Sequence, residues 1–207
     1  MKSIYSVLVL SIAIVASAYG YDKSKETFTK SVKKEYDISR SGKVVLSNKY
    51  GNIDVKTNDG DKVTIDVEIT VNARNEETAN TAFERINIDF SASSDYVKAE
   101  TILDSDKGNW WAGNKKSYDF KINYEVTIPR SVELDVSNKY GDVYITELEN
   151  DLELDVKYGN FNVVSAEDFD LTCKYGSGEI ENCKDITADL GYVSGEGFKV
   201  GICENVE

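Results

Sequence analysis

Chemistry in this 207-residue chain has to come from carboxylates, aromatic rings or thiols, because the sequence contains no histidine. That excludes Ser-His-Asp and Cys-His nucleophiles and the imidazole ligands of most zinc sites. Acids outnumber bases, 37 to 24, so glycoside chemistry by a carboxylate pair stays open. The acids that recur with the backbone pattern are Glu133, Asp135, Glu153 and Asp155. They alternate with apolar residues and read as the solvated side of strands. No pair among them is marked as acid and base, and neither a glycine-rich phosphate loop nor a two-residue cysteine spacing is present. No catalytic residue, metal ligand or cofactor is therefore assigned.

Two further sets of residues are candidates for a role. Trp110 and Trp111, the only tryptophans, sit together in a polar loop between Asp104 and Lys116. An indole is a broad apolar face with a polar N–H, which suits it to stack on a sugar ring. The competing reading is a hydrophobic plug over a sheet edge. Of three cysteines, Cys173 stands before Lys-Tyr-Gly where Val156 does one repeat earlier, and so fills a valine slot. Cys183 and Cys203 hold equivalent places in successive repeats. One coil is about 4.8 Å, within bridging range, so Cys183 with Cys203 is the candidate disulfide, the alternative being free buried thiols.

The elements that position these residues are set by a phrase that the chain repeats. It reads Lys49-Tyr50-Gly51, Lys139-Tyr140-Gly141, Lys157-Tyr158-Gly159 and Lys174-Tyr175-Gly176. The last three glycines follow one another at intervals of 18 and 17 residues. A turn recurring at that interval between alternating apolar segments implies one coil of backbone per phrase. The phrase decays at Gly191-Tyr192. Glycine is expected to supply the positive φ of each corner, and the tyrosines to stack on their equivalents one coil away.

Before the regular coils of residues 130–207 the chain is more varied. Lys2, the apolar runs Val7–Leu10 and Ile12–Ala16, and Ala16-Ser17-Ala18 read as a signal peptide over 1–18. Residues 19–42 are polar and lysine-rich and read as an edge strand or partly disordered lead, ahead of a domain spanning 43–207. Val63, Ile65, Val67, Ile69 and Val71 alternate with polar residues as a half-buried strand. Asn75 caps a helix expected over about 76–86, with Ala79, Ala82, Phe83 and Ile86 on one face. Pro129 closes a strand that begins near Tyr118. The fold class is all-β: a single-chain β-solenoid or β-prism of stacked short-strand coils with one short helix inserted.

A net charge of −13 repels nucleic acid and anionic head groups. No segment after the leader is apolar and long enough to cross a membrane as a helix. The chain stops at Val206-Glu207, where another inward-facing strand should begin. Either the last coil is open, as an edge for strand addition by a partner, or further coils follow.

The run from Asn48 to Val55, its copy from Asn138 to Val143, the helix between them and the strand ending Ile128-Pro129 resemble a bacterial cell-envelope family. Its members are called putative adhesins and are otherwise classed as a domain of unknown function. The resemblance spans roughly Lys43 to the C-terminus and implies an exported repeating β-solenoid, without catalytic residues to carry over. The function expected is that of a non-enzymatic envelope protein, in the periplasm, at the cell surface or outside the cell. Its rigid surface would bind a polysaccharide or an envelope protein. The alternatives are a carbohydrate-active solenoid enzyme and a purely structural or stress-response module.

Overall fold

Alternation of apolar and polar residues, broken only by tight corners, makes almost the whole chain strand. The computed structural model describes residues 9–13, 25–104, 118–193 and 197–206. In chain order the strands are β1 (Val9–Ala13), β2 (Glu26–Asp37), β3 (Lys43–Lys49), β4 (Ile53–Asn58) and β5 (Lys62–Ala73). After the helix α1 (Glu76–Phe83) come β6 (Ile86–Ala92), β7 (Tyr96–Leu103) and β8 (Tyr118–Pro129). The repeats then supply β9 (Glu133–Lys139), β10 (Val143–Glu147), β11 (Leu152–Lys157), β12 (Phe161–Lys174), β13 (Gly178–Gly191) and β14 (Phe198–Val206). Together these form one fourteen-stranded sheet among the described residues.

The sheet turns back on itself because β12 and β13 are long enough to run round a corner. The first part of β12 pairs in parallel with β10, Phe161 opposite Val143, and its last part with β11, Phe169 opposite Leu152. One face is therefore β6-β7-β3-β9-β11, continued by the ends of β12 and β13, and the other is β2-β5-β8-β4-β10, continued by their beginnings and β14. Equivalent residues of successive coils pair directly: Lys49 with Lys139, Lys139 with Lys157, Lys157 with Lys174. The two faces approach each other where Lys34 of β2 places its ammonium 5.8 Å from the ring centre of Phe90 on β6. The result is a nearly closed, barrel-like wall.

Inward residues of the two faces fill the space between them. Val44, Leu46, Val136, Leu154, Val163 and Ile180 are among those almost wholly buried, with Phe169 and Tyr124 the bulkiest. The antiparallel strands β2, β5 and β8 carry the wall past the coils, with Val63, Ile65, Val67 and Ile69 facing in. The helix starts at Asn75, whose side chain accepts a hydrogen bond from the Thr78 N–H at 2.9 Å. It buries Ala79 and Ala82, but ends at Phe83 rather than near 86. Ile86 already belongs to β6, where pairing with Leu103 outweighs its place on the helical face.

Residues 25–37 lack period-two alternation in sequence for a specific reason. Lys30 and Lys34 of β2 sit opposite the buried Ile69 and Ile65, so they take inward register positions where an apolar residue would be expected. Before residue 25 only Val9–Ala13 is described, as a strand antiparallel to β2. No helix among the described residues is long and apolar enough to cross a membrane.

Candidate functional site

The Tyr-Gly corners stack into a single ridge, and the two residues exchange the roles expected of them. Tyr50, Tyr140, Tyr158, Tyr175 and Tyr192 have φ between 55° and 65°, whereas the glycines that follow the first four do not have positive φ. The left-handed conformation therefore falls on tyrosine, at a cost of roughly 1–2 kcal/mol for each such residue. Glycine is required for a different reason. A Cβ on Gly141 would lie 2.0 Å from the carbonyl oxygen of Gly51, one on Gly159 2.0 Å from that of Gly141, and one on Gly176 1.8 Å from that of Gly159. On Gly51 it would meet the carbonyl oxygen of Ile122 at 1.8 Å. The corners lie backbone on backbone, and no side chain fits between coils.

Hydrogen bonds hold the corners at that distance. The N–H of Tyr50 donates to the Lys139 carbonyl, that of Tyr140 to Lys157, that of Tyr158 to Lys174 and that of Tyr175 to Gly191, at 2.8–2.9 Å. Just past each glycine runs a ladder of side-chain oxygens. Asn52 Oδ1 accepts from the N–H of Asp142 (3.2 Å), Asp142 Oδ1 from that of Asn160 (2.8 Å), and Asn160 Oδ1 from that of Ser177 (3.2 Å). Inside the corner, buried Asn138 donates to the carbonyls of Gly51 (3.0 Å) and Asp142 (3.2 Å), and buried Asn48 to that of Ile122 (2.9 Å). Thr101 joins Asn48 Oδ1 (2.8 Å) to the hydroxyl of Tyr124 (2.9 Å). Burial pushes the Tyr124 phenol well above its ordinary value. These asparagines were visible in the repeated phrase, but their contacts are between coils and no local rule points to them.

The tyrosine rings form the outer surface of the ridge. Successive centroids are 5.0, 5.0, 4.7 and 4.8 Å apart from Tyr50 to Tyr192, with ring planes within 15° of parallel. Phe120 closes the lower end edge-on to Tyr50 at 5.4 Å. Tyr192 is the fifth member, so the corner continues past the point where the phrase decays: Gly191 takes the lysine slot and Val193 follows the tyrosine. Tyr140, Tyr158, Tyr175 and Tyr192 are exposed, Tyr192 most of all at 78%. Because each ring is covered by its neighbours, the ridge offers ring edges and hydroxyls rather than a row of open stacking faces. Lys139 lies 5.0 Å from the centre of the Tyr140 ring, and Lys157 and Lys174 pair with Asp155 and Asp189.

Beside the ridge, on the β11–β13 face, is a shallow recess of about 310 Å³. Glu153, Asp155, Asp170, Thr172, Thr187 and Asp189 line it. Its carboxylates are exposed or half-buried, so none is desolvated in the way a proton donor of a glycosidase is. Among the described residues no group of acids, cysteines or histidines is arranged to hold a metal ion. Trp110 and Trp111 fall outside the described residues, between β7 and β8. Cys183 and Cys203 are register partners on β13 and β14, 4.6 Å apart at Cα, with their sulfurs in disulfide contact. Cys173 is buried and unbridged, opposite Val156, and burial raises its thiol pKa.

No family model and no curated protein matches the chain. Solved structures that align with it include a putative cell adhesion protein from Clostridium sporogenes, 9% identical with a TM-score of 0.40, covering 84% of this chain and 96% of that one. A putative adhesin from Parabacteroides distasonis is 14% identical, with a TM-score of 0.32 and coverage of 84% and 76%. A putative lipid binding protein from the same species is 14% identical, with a TM-score of 0.27 and coverage of 86% and 96%.

Proposed function

We propose that this chain is a non-enzymatic, exported envelope protein whose coils form a rigid β-solenoid, displayed as a binding surface for a polysaccharide or a partner protein. The observation that carries this reading is the ridge of five tyrosines in register, four of them exposed. Contiguous exposed aromatic surface on a soluble chain marks an interaction site. A one-dimensional array with a step near 4.8 Å suits a ligand that itself repeats, because each added coil adds an equivalent contact. The sign of the chain favours a neutral or basic polymer over a polyanion. Trp110 and Trp111 are the second element of this reading, as indoles of the kind that stack on a sugar ring.

The test is native affinity electrophoresis of the mature chain through gels containing purified neutral envelope polysaccharide. Retardation is expected for the wild type, reduced in a Tyr158→Ser/Tyr175→Ser variant and in a Trp110→Ala/Trp111→Ala variant that retain the wild-type strand signal. Unchanged mobility in every polysaccharide removes the glycan reading and leaves protein partners. Release of reducing ends from the polysaccharide would instead favour the carbohydrate-active alternative, with the recess acids as candidate carboxylates.

A further inference from the structure

The disulfide contact joins the last two coils at one corner of the molecule, and the opposite corner holds the tyrosine ladder. Tyr175 and Tyr192 are parallel to within 2° at a centroid separation of 4.8 Å, and both rings are exposed, at 47% and 78%. Their backbones are one coil apart in register, so each ring carbon lies about one coil step from its equivalent. Among the described residues the outer ring stacks on one neighbour, Tyr175. Tyr158 stands under Tyr175 at 4.7 Å and 4° in the same arrangement.

From this geometry we infer that the ladder is a site of intramolecular dityrosine formation, with Tyr175–Tyr192 as the principal pair. The reaction is a two-electron oxidation. Each phenol loses one electron and its hydroxyl proton, and the two phenoxyl radicals join through the carbons ortho to oxygen, making one C–C bond. The two ortho hydrogens then move to the oxygens and restore both aromatic rings. The oxidant is a peroxide acting through a one-electron, peroxidase-type catalyst: the two electrons and two protons reduce one hydrogen peroxide to two waters. The product closes the terminal coil covalently at both corners, through sulfur on one side and carbon on the other. An oxidising compartment, where disulfides persist, is the setting in which both bonds form.

Ladder geometry distinguishes this from the incidental oxidation of any exposed tyrosine. Tyr144 is 43% exposed but lies on β10, outside the stacked column, and serves as an internal reference. The experiment treats dilute full-length protein with horseradish-type peroxidase and limiting hydrogen peroxide, then reads dityrosine fluorescence, gel mobility and the peptide map. The expected result is a monomeric product whose cross-linked peptide contains Tyr175 and Tyr192. Tyr192→Phe keeps an aromatic ring in the stack and should remove that peptide, with at least a threefold loss of monomer-associated dityrosine fluorescence. Cross-links that appear only in covalent oligomers, that involve Tyr144 as readily as the ladder, or that persist undiminished in Tyr192→Phe would overturn the inference. So would the absence of dityrosine under conditions that oxidise free tyrosine.

Discussion

The α-carbon of Gly159 faces the carbonyl oxygen of Gly141 so closely that a Cβ would stand 2.0 Å from it. Both sides of that contact are backbone, so nothing flexible can move aside. Gly159→Ala is expected to destabilise the chain by about 3 kcal/mol or more, in the range of severe overpacking. Gly60→Ala is the comparison, since its Cβ would meet only the end of the Asn58 side chain, and it should cost under about 1 kcal/mol. Urea midpoints for the two variants check this; equal midpoints would show that the corners can spread.

Asn138 ties the carbonyls of Gly51 and Asp142 together from inside the corner. Asn138→Ala strands the Gly51 carbonyl away from water, while that of Asp142 keeps the Ile53 N–H at 3.0 Å, and the expected loss is about 1–3 kcal/mol. Asn160→Ala removes a comparable set of contacts on the exposed side, where water replaces them, and should cost less. Equilibrium unfolding of both variants gives the comparison.

The apolar filling thins towards the last coil: Val206, opposite buried Ile186, is 61% exposed and Leu190, opposite buried Cys173, 41%. Cross-linking should therefore matter more there than elsewhere. Removing the Cys183–Cys203 bond, by reduction or by Cys183→Ser/Cys203→Ser, is expected to lower the local opening free energy of β14 by about 3 kcal/mol for a loop of this length. Amide exchange should accelerate in 198–206 and the neighbouring part of β13, while β9 and β11 keep their protection. Unaltered exchange in β14 after reduction would mean that backbone pairing alone holds the terminal coil.

Stability should fall on the alkaline side. Burial raises the Tyr124 phenol above its ordinary value of 10.0, and burial raises Tyr36 and Tyr50 as well. Below pH 10 these phenols are protonated in both states, so they contribute no pH dependence. Above it the unfolded chain releases protons that the folded chain retains, and stability declines as pH rises. Tyr124→Phe should flatten that decline. Urea midpoints at pH 8 and at pH 10.5 are the measurement, and parallel curves for variant and wild type would remove Tyr124 as the cause.

Much of the architecture is legible in the residues because it is built by repetition. The repeat interval and the valine slot of Cys173 follow from a phrase that the chain states more than once, and the apolar alternation of β5 and the Asn75 cap from local patterns. The corner itself misleads. Tyrosine and glycine are adjacent, and local propensity assigns positive φ to glycine, yet what excludes a side chain there is the backbone of the coil beneath, some 18 residues away. The inward lysines of β2 conceal a strand for a similar reason, since their place opposite Ile69 and Ile65 exists only in the folded sheet. The recess on β11–β13 depends on Thr172 and Thr187 standing among longer acids in neighbouring coils, a juxtaposition that requires the register to be known.

The outer ladder of Asn52, Asp142, Asn160 and Ser177 has a bearing on how such a chain can change over generations. Each side-chain oxygen reaches one coil and no further, and each coil presents the same acceptor to the next. Duplicating or deleting a segment of 17 or 18 residues between equivalent positions therefore leaves every surviving interface with a matched partner. A loss of a few residues, by contrast, would put every later coil out of step. A segment of 17 or 18 residues is therefore the unit of length that this ladder can gain or lose without a mismatched partner.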